Sequence, residues 1–103
     1  ILFRRQDGAF LGSIDIAIRK ATSSAMIPRS TRKVGELAYA KDGKLGPRPG
    51  VATVDFLVPF AGGLPIRTDK GHLIGAIGIS GASSDQDEEC AQAAIDSVRD
   101  LLN

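Results

Sequence analysis

Apolar residues recur at helical spacing in the first half of the chain, and this pattern predicts two helices. The first helix begins at Ser13, whose hydroxyl suits an N-cap, and ends before Pro28. Its apolar face consists of Ile14, Ala17, Ile18, Ala21 and Ala25. The second helix is shorter, begins at Ser30 or Thr31, and ends at Ala38. Residues 39–50, which are rich in Gly and Pro, predict a loop.

The second half of the chain begins with an apolar hairpin. Residues 64–68 and 73–80 flank an Asp-Lys-Gly turn, which predicts two antiparallel strands with Gly71 in a left-handed conformation. Apolar side chains occur on both faces of the second strand, so both faces should be covered. Gly75 and Gly78 either let a helix approach this strand closely or relieve crowding at a bend.

A third helix follows, and its start is marked by capping residues. Ser83 or Ser84 is the predicted N-cap, and Gln86 stands in capping-box register with Ser83. One apolar stripe follows, made of Ala91, Ala94, Ile95, Val98, Leu101 and Leu102. Helices on both sides of an antiparallel sheet define the predicted fold class, α/β (α+β).

Length and composition favour one domain, residues 1–103. The apolar content is 43%, enough for one modest core, and apolar runs are too short to cross a bilayer, so no membrane partner is expected. The single cysteine, Cys90, cannot form an internal disulfide, and a reducing cytoplasm fits it best. With acids nearby on the predicted helix, a buried or inert thiol is expected.

The net charge of +1 argues against a nucleic-acid partner, but the charge is uneven along the chain. The basic residues of positions 28–48 are Arg29, Arg32, Lys33, Lys41, Lys44 and Arg48. The acids of positions 85–100 are Asp85, Asp87, Glu88, Glu89, Asp96 and Asp100. These stretches either attract one another in an oligomer or form two solvated faces of opposite sign.

The chain starts abruptly. Ile1, Leu2 and Phe3 lead directly into two arginines and the turn-forming Asp7-Gly8 pair. This pattern predicts the end of a strand whose partner has been removed from the start of the chain.

Six short motifs, in one order, resemble those of a known family. They are residues 7–9 (DGA), 12–17 (GSIDIA), 19–21 (RKA), 59–66 (PFAGGLPI), 74–81 (IGAIGISG) and 86–88 (QDE). Together they resemble the GlcG/HbpS-like proteins, also called the heme-degrading domain family, which includes the C-terminal domain of PduO. The resemblance implies a profilin-like three-layer α/β/α sandwich with an antiparallel sheet of about five strands. It also implies homo-oligomers, heme binding in some members, and an N-terminal helix and strand missing from this chain.

Heme binding needs an apolar slot, groups for the propionates and usually an axial ligand. Tyr39 and His72 are the candidate axial ligands. The alternative for His72 is an exposed imidazole beside the hairpin turn, and for Tyr39 a ring packed at the loop rim. Met26 fits better as the end of an apolar helix face.

A ligand site is also predicted from the backbone. The Gly62-Gly63 pair lets main chain approach a ligand, and the segment from Gly81 leads into a helix N-terminus that suits an anion. If the two loops are adjacent they form a pocket, although the acids there compete with an anion. The alternative is an ordinary capped helix beside the start of a strand. The family motifs add Lys20, Pro65, Gln86 and Asp87 to the predicted ligand-binding residues; alternatively, Lys20 faces solvent.

Nothing in the sequence identifies a catalytic residue or a metal site. It contains no nucleophile elbow, paired metal motif or phosphate loop. A small ligand-binding module for heme or a related tetrapyrrole is the leading hypothesis. One alternative is an accessory enzyme of a hydroxy acid or diol pathway, with Lys20, Asp85 and Asp87 in acid/base roles. Another is a structural oligomerisation subunit without catalysis.

Overall fold

Three helices and one β-hairpin form the structure, a computed structural model that describes residues 2–40 and 42–103. The helices are α1 (Gly12–Met26), α2 (Thr31–Ala38) and α3 (Ser84–Ser97), and the strands are β1 (Gly63–Arg67) and β2 (Leu73–Gly78). Short 3-10 turns cover Pro49–Thr53 and Arg99–Leu101. The three predicted helices and the hairpin are confirmed, as is the left-handed Gly71, whose φ is +85°.

Side-chain caps start the two later helices. Ser30 accepts a hydrogen bond from the Lys33 amide at the start of α2. Ser83 forms the predicted capping box with Gln86 at the start of α3. The predicted cap of α1 is wrong, because this helix begins at Gly12. The Ser13 hydroxyl there donates a hydrogen bond back to the Phe10 carbonyl, at 2.7 Å, instead of accepting one from a helix amide.

The cap of α3 gives a first test of this local structure. Ser83→Ala should lower the free energy of unfolding by about 1 kcal/mol, because one helix amide loses its acceptor. Urea denaturation measures the change. Ser84→Ala removes a hydroxyl outside the capping box and should cost less; equal costs would show that the box contributes nothing.

The hairpin lies between two layers of helix. Its antiparallel register pairs Gly63 with Gly78 and Pro65 with Ala76, and the two glycines of the first pair lie against backbone or side-chain atoms of α1. The opposite face packs on α3. The residues of that packed cluster are Leu64, Ala91, Ile95 and Leu102, with Ile66, Ile77 and Ile79 against them. The predicted α+β class, with helices packed on an antiparallel sheet, is therefore confirmed.

The prediction of complete cover is wrong at the turn end of β2. Leu73 is 39% exposed and Ile74 is 59% exposed. Helix α1 packs on Gly78, at the opposite end of the hairpin, so the first residues of β2 extend beyond it. The two glycines of this strand differ in their surroundings: a Cβ on Gly78 would meet α1, whereas one on Gly75 would meet nothing within 4 Å.

Within residues 2–40 and 42–103 the sheet has two strands, in the order β1-β2. Leu2 and Phe3, predicted to end a strand, have no regular structure, and Ile1 lies outside the described residues. The predicted loop after α2 is closed by an isolated bridge between Tyr39 and Leu45. None of the helices seen here has the length and apolar character that spanning a bilayer requires.

Candidate functional site

A buried ion pair joins α1 to α3 at the centre of the molecule. Lys20 is 1% exposed and Asp87 is 3% exposed. The Lys20 ammonium donates to Asp87 Oδ2, at 3.0 Å, and to the Ile79 carbonyl, at 2.8 Å. The other carboxylate oxygen accepts the Ala82 amide proton, at 3.0 Å. Both charges therefore have hydrogen-bonding partners from the protein itself, as buried charges require.

The loop before β1 lies directly over this lysine. Gly62 has a φ of +131°, and a Cβ on it would collide with the Lys20 ammonium. The Phe60 ring centroid is 5.2 Å from the same nitrogen, within range of a cation–π contact. Gly63 donates its amide proton to the Thr31 hydroxyl, at 2.9 Å, and Gly62 accepts one from the Ile79 amide, also at 2.9 Å. The glycine pair thus makes close contacts inside the protein.

The segment that leads into this loop is anchored by α1. Ser23, fully buried, donates from its hydroxyl to the Phe56 carbonyl, at 3.0 Å, and accepts from the Val58 amide, at 2.9 Å. Arg19 donates to the Asp55 carbonyl. These bonds hold the backbone of residues 55–58, so the position of the glycine loop is fixed from both ends.

Several predicted ligand residues come together here. Lys20, Gly62, Gly63 and Asp87 are in one cluster, and Gly81 precedes the Ala82 amide that Asp87 binds. The alternative of a solvent-facing Lys20 is wrong. Gln86 belongs to the α3 capping box and Pro65 to β1. Contact of these residues with a ligand stays a prediction.

The uneven charge of the sequence forms pairs within one chain. Arg32 of α2 donates to Asp85 and, at 3.1 Å, to Glu88, both on α3. The hydrogen bonds that Arg32 donates to Asp85 and then to Glu88 raise the pKa of its guanidinium. The basic and acidic stretches therefore meet between α2 and α3, without a second subunit at this point. Lys41 of the basic stretch lies outside the described residues.

The candidate axial ligands lie in different parts of the fold. His72 is exposed at the hairpin, where its amide donates to the Thr68 hydroxyl, at 3.2 Å. Tyr39 is 48% exposed and forms the C-cap of α2. Met26, at 65% exposure, ends α1 as expected. Cys90 is exposed, so the buried alternative for its thiol is wrong.

A cleft of about 510 Å³ opens between α2, β1 and α3, and sequence reasoning missed it. Leu64, Pro65 and Ile95 supply its apolar surface. Three cationic side chains also line it, those of Lys33, Arg67 and Arg99. These residues belong to four elements, α2, β1, α3 and the 3-10 turn after α3, so no local motif signals the cleft. Pro65 alone among them was a predicted ligand residue.

A second, smaller groove of about 210 Å³ lies on the other side of the hairpin. It runs between the N-terminal segment, α1 and β2, and Phe3, Ile18 and Ile77 are among its apolar walls. It contains no charged side chain, which distinguishes it from the cleft.

Comparison with known proteins places the chain in one family. The model of the family described as "Haem degrading protein HbpS-like" matches residues 1–96. An uncharacterised 15.0 kDa protein from the dhaT-dhaS intergenic region of Citrobacter freundii is 31% identical over 98% of this chain and 69% of its own length. The protein ORFY of Klebsiella pneumoniae superposes with a TM-score of 0.81 at 32% identity, over 93% of this chain and 64% of that one.

A further solved structure is a complex of PduOC with heme. It superposes with a TM-score of 0.79 at 30% identity and covers 94% of this chain and 68% of that one. The chain thus spans about two thirds of the length of the relatives it matches.

Proposed function

We propose that this chain, which belongs to the HbpS-like family of heme-degrading proteins, is a small module that binds heme or a related tetrapyrrole. The observation that carries the proposal is the likeness to PduOC, which was solved as a heme complex and has the same fold as this chain at 30% identity. Shared fold alone would not support a shared ligand, but family membership over nearly the whole chain adds to it.

The cleft between α2, β1 and α3 carries groups that suit the propionates of heme. Its cations are Lys33, Arg67 and Arg99. Its apolar surface is small, because Leu64 and Ile95 are 9% and 6% exposed, so it does not enclose the porphyrin ring. His72 and Tyr39 remain our proposed axial ligands, and neither lines this cleft.

The buried ion pair lies next to the start of β1. Lys20, paired with Asp87, packs against the loop that leads into this strand, and the first residues of β1 include Leu64 and Pro65 of the cleft. Direct ligand contact by Lys20, Gly62, Gly63, Gly81, Gln86 and Asp87 is proposed from the family motifs.

The assembly and the complete fold are proposals of the same kind. Among residues 2–40 and 42–103, fourteen large apolar side chains are exposed, Leu11 and Leu101 by more than three quarters, and we propose that subunit contacts cover some of them. The hairpin would belong to a profilin-like sheet of about five strands, as the family resemblance implies. The lone thiol of Cys90 accords with a cytoplasmic location.

An absorption titration tests the function. Adding the chain to hemin should shift the Soret band saturably, because the porphyrin leaves water for an apolar site. The same chain unfolded in urea is the control and should give no saturable shift. A spectrum that never changes would contradict heme binding.

The same sample separates binding from degradation. In the presence of ascorbate and oxygen, which slowly destroy heme without an enzyme, a binding module should lose heme absorbance no faster than free hemin does. A loss of the Soret band that is faster than that of free hemin and proportional to the amount of chain would favour the enzyme alternative. The residues proposed for acid/base roles are ion-paired, Lys20 with Asp87 and Asp85 with Arg32, and the enzyme alternative stays a prediction.

A further inference from the structure

We infer that the cleft between α2, β1 and α3 binds a small, hydroxyl-rich phosphate monoester, independently of heme. This binding goes beyond the proposed function, because it needs no porphyrin. Three features of the cleft carry it: cations from separate elements, walls that hydrogen bonds hold together, and a polar lining. Since the same cations suit the propionates of heme, the ester and heme would compete for them.

Cationic side chains from three separate elements line the cleft. Lys33 comes from α2, Arg67 from β1, and Arg99 from the 3-10 turn after α3. Among residues 2–40 and 42–103, the only acidic residue that lines it is Asp69, in the hairpin turn. Positive charge is therefore in excess there, although the whole chain has a net charge of only +1. Clustered cations in a concave site attract anions.

Hydrogen bonds within the chain hold the walls of the cleft together. One terminal nitrogen of Arg67 donates to the Gly71 carbonyl and the other to the Pro28 carbonyl, each at 3.0 Å. The Asp69 amide donates to the Leu102 carbonyl, at 2.7 Å, which fixes the hairpin turn against the segment after α3. The concave shape is therefore preorganised, and a ligand loses little affinity to ordering it.

The charges of Lys33 and Arg67 are available to an anion. Arg67 bonds two neutral carbonyls, and a guanidinium has five N–H donors, so donors remain for a ligand. In the part of the chain that the structure describes, the Lys33 ammonium forms no ion pair. Arg99 instead donates to Asp96, at 2.9 Å, and this bond, followed by one from Gln92, lowers the pKa of Asp96. We therefore expect Lys33 and Arg67 to make the main contacts.

A phosphate group fits this arrangement better than a carboxylate does. A phosphate monoester has three acceptor oxygens and a charge of about −1.5 to −2 at neutral pH. Its oxygens point in different directions, so they can accept from donors on several walls at once. A carboxylate has only two oxygens, in one plane. Since the lysine and the arginine come from different elements, three divergent oxygens match them better.

The remaining lining favours a hydrophilic body on the ligand. The Ser30 and Thr68 hydroxyl oxygens accept from backbone amides, at 3.3 and 3.2 Å, and these bonds leave the hydroxyl protons to donate. The apolar residues Leu64 and Ile95 are only 9% and 6% exposed. The volume of about 510 Å³ lies within the usual range of small-molecule sites, roughly 300–1,000 Å³, and exceeds what a phosphate group alone needs.

An NMR titration with ribose 5-phosphate, in a phosphate-free buffer of low ionic strength and without heme, tests this inference. The amide signals of cleft residues should shift saturably. Ribose, which lacks the phosphate, should bind at least about tenfold more weakly. Lys33→Ala and Arg67→Ala should each weaken binding of the ester by about three- to tenfold. Asp69→Asn removes the acid from the cleft and should tighten binding by about two- to fivefold.

Two control variants change the same charges outside the cleft. Arg48→Ala removes an exposed cation and Asp7→Asn an exposed acid, and each should leave the affinity for ribose 5-phosphate nearly unchanged. If these variants had effects as large as those of Lys33→Ala and Asp69→Asn, only the net charge of the chain would matter and the cleft assignment would be overturned.

The choice of ligands decides the chemical class. The absence of a saturable shift with ribose 5-phosphate overturns the inference, and so does equal binding of ribose. Malate, a hydroxylated dicarboxylate, should bind more weakly than the ester; equal affinity overturns the assignment to phosphate. Inorganic phosphate should also bind more weakly, and equal affinity overturns the role of the hydroxyl-rich body.

The result is independent of the proposed function, because no hemin is present in the titration. Failure of hemin to bind elsewhere leaves this inference standing, and failure of the ester to bind leaves heme binding standing. Since Arg67 also bonds the backbone, Lys33→Ala, which changes an exposed side chain, decides the test if Arg67→Ala does not fold.

Discussion

Asp87→Asn should reduce the free energy of unfolding by about 3–5 kcal/mol, as measured by urea denaturation. The substitution keeps the shape of the side chain and an acceptor for the Ala82 amide. It removes the negative charge that partners Lys20, whose ammonium is 1% exposed. An uncompensated buried charge is costly, and a domain of this size has only about 5–15 kcal/mol of stability in total.

Two further variants show whether charge is the cause. Lys20→Met in the Asp87→Asn background removes the unpaired ammonium and should restore more than half of the lost stability. Asp85→Asn breaks an exposed pair with Arg32 and should cost less than about 1 kcal/mol. A cost for Asp87→Asn no larger than that for Asp85→Asn would show that the buried pair does not hold the fold together.

Gly78→Val should also destabilise the protein severely, lowering the free energy of unfolding by about 3 kcal/mol or more. A Cβ at this position would approach the Ala21 amide nitrogen to 2.5 Å and would also collide with the Ala17 carbonyl oxygen. Both atoms belong to the α1 backbone, which cannot rotate away as a side chain would. The helix would have to move off the sheet, and the hydrogen bonds from its Lys20 to Asp87 and Ile79 would be lost as well.

Gly75→Val is the matched control in the same strand. A Cβ on Gly75 meets nothing within 4 Å, and valine favours extended backbone, so stability should be unchanged or slightly raised. Similar losses from both variants would indicate a general effect of valine in β2 and would argue against close packing of α1 at Gly78.

Elements that depend on neighbouring residues could be predicted from the sequence. The capping box at Ser83, the left-handed Gly71 and the apolar stripe of α3 each lie within a short window. The N-cap of α1 could not be predicted in this way, because it is Leu11, which forms no side-chain capping bond. The glycine of β2 that admits a helix, Gly78, was one of two candidates, and only the packed structure separates them.

The candidate site depends on contacts between distant residues, and most of it could not be predicted. Lys20 lies on the polar side of its helix by pattern, yet it is buried because the glycines at positions 62 and 63 leave room over it. Its partner Asp87 is 67 residues away. The cleft likewise combines side chains from α2, β1 and α3, which no spacing in the sequence connects.

The central claim, that this chain holds heme, is tested most directly by calorimetric titration of hemin into the folded protein. The account predicts a saturable signal that ends at a fixed ratio of hemin to chain. It also predicts a lower affinity for hemin in Lys33→Ala than in Arg48→Ala. A signal that does not saturate, or no heat beyond that of dilution, would contradict the claim.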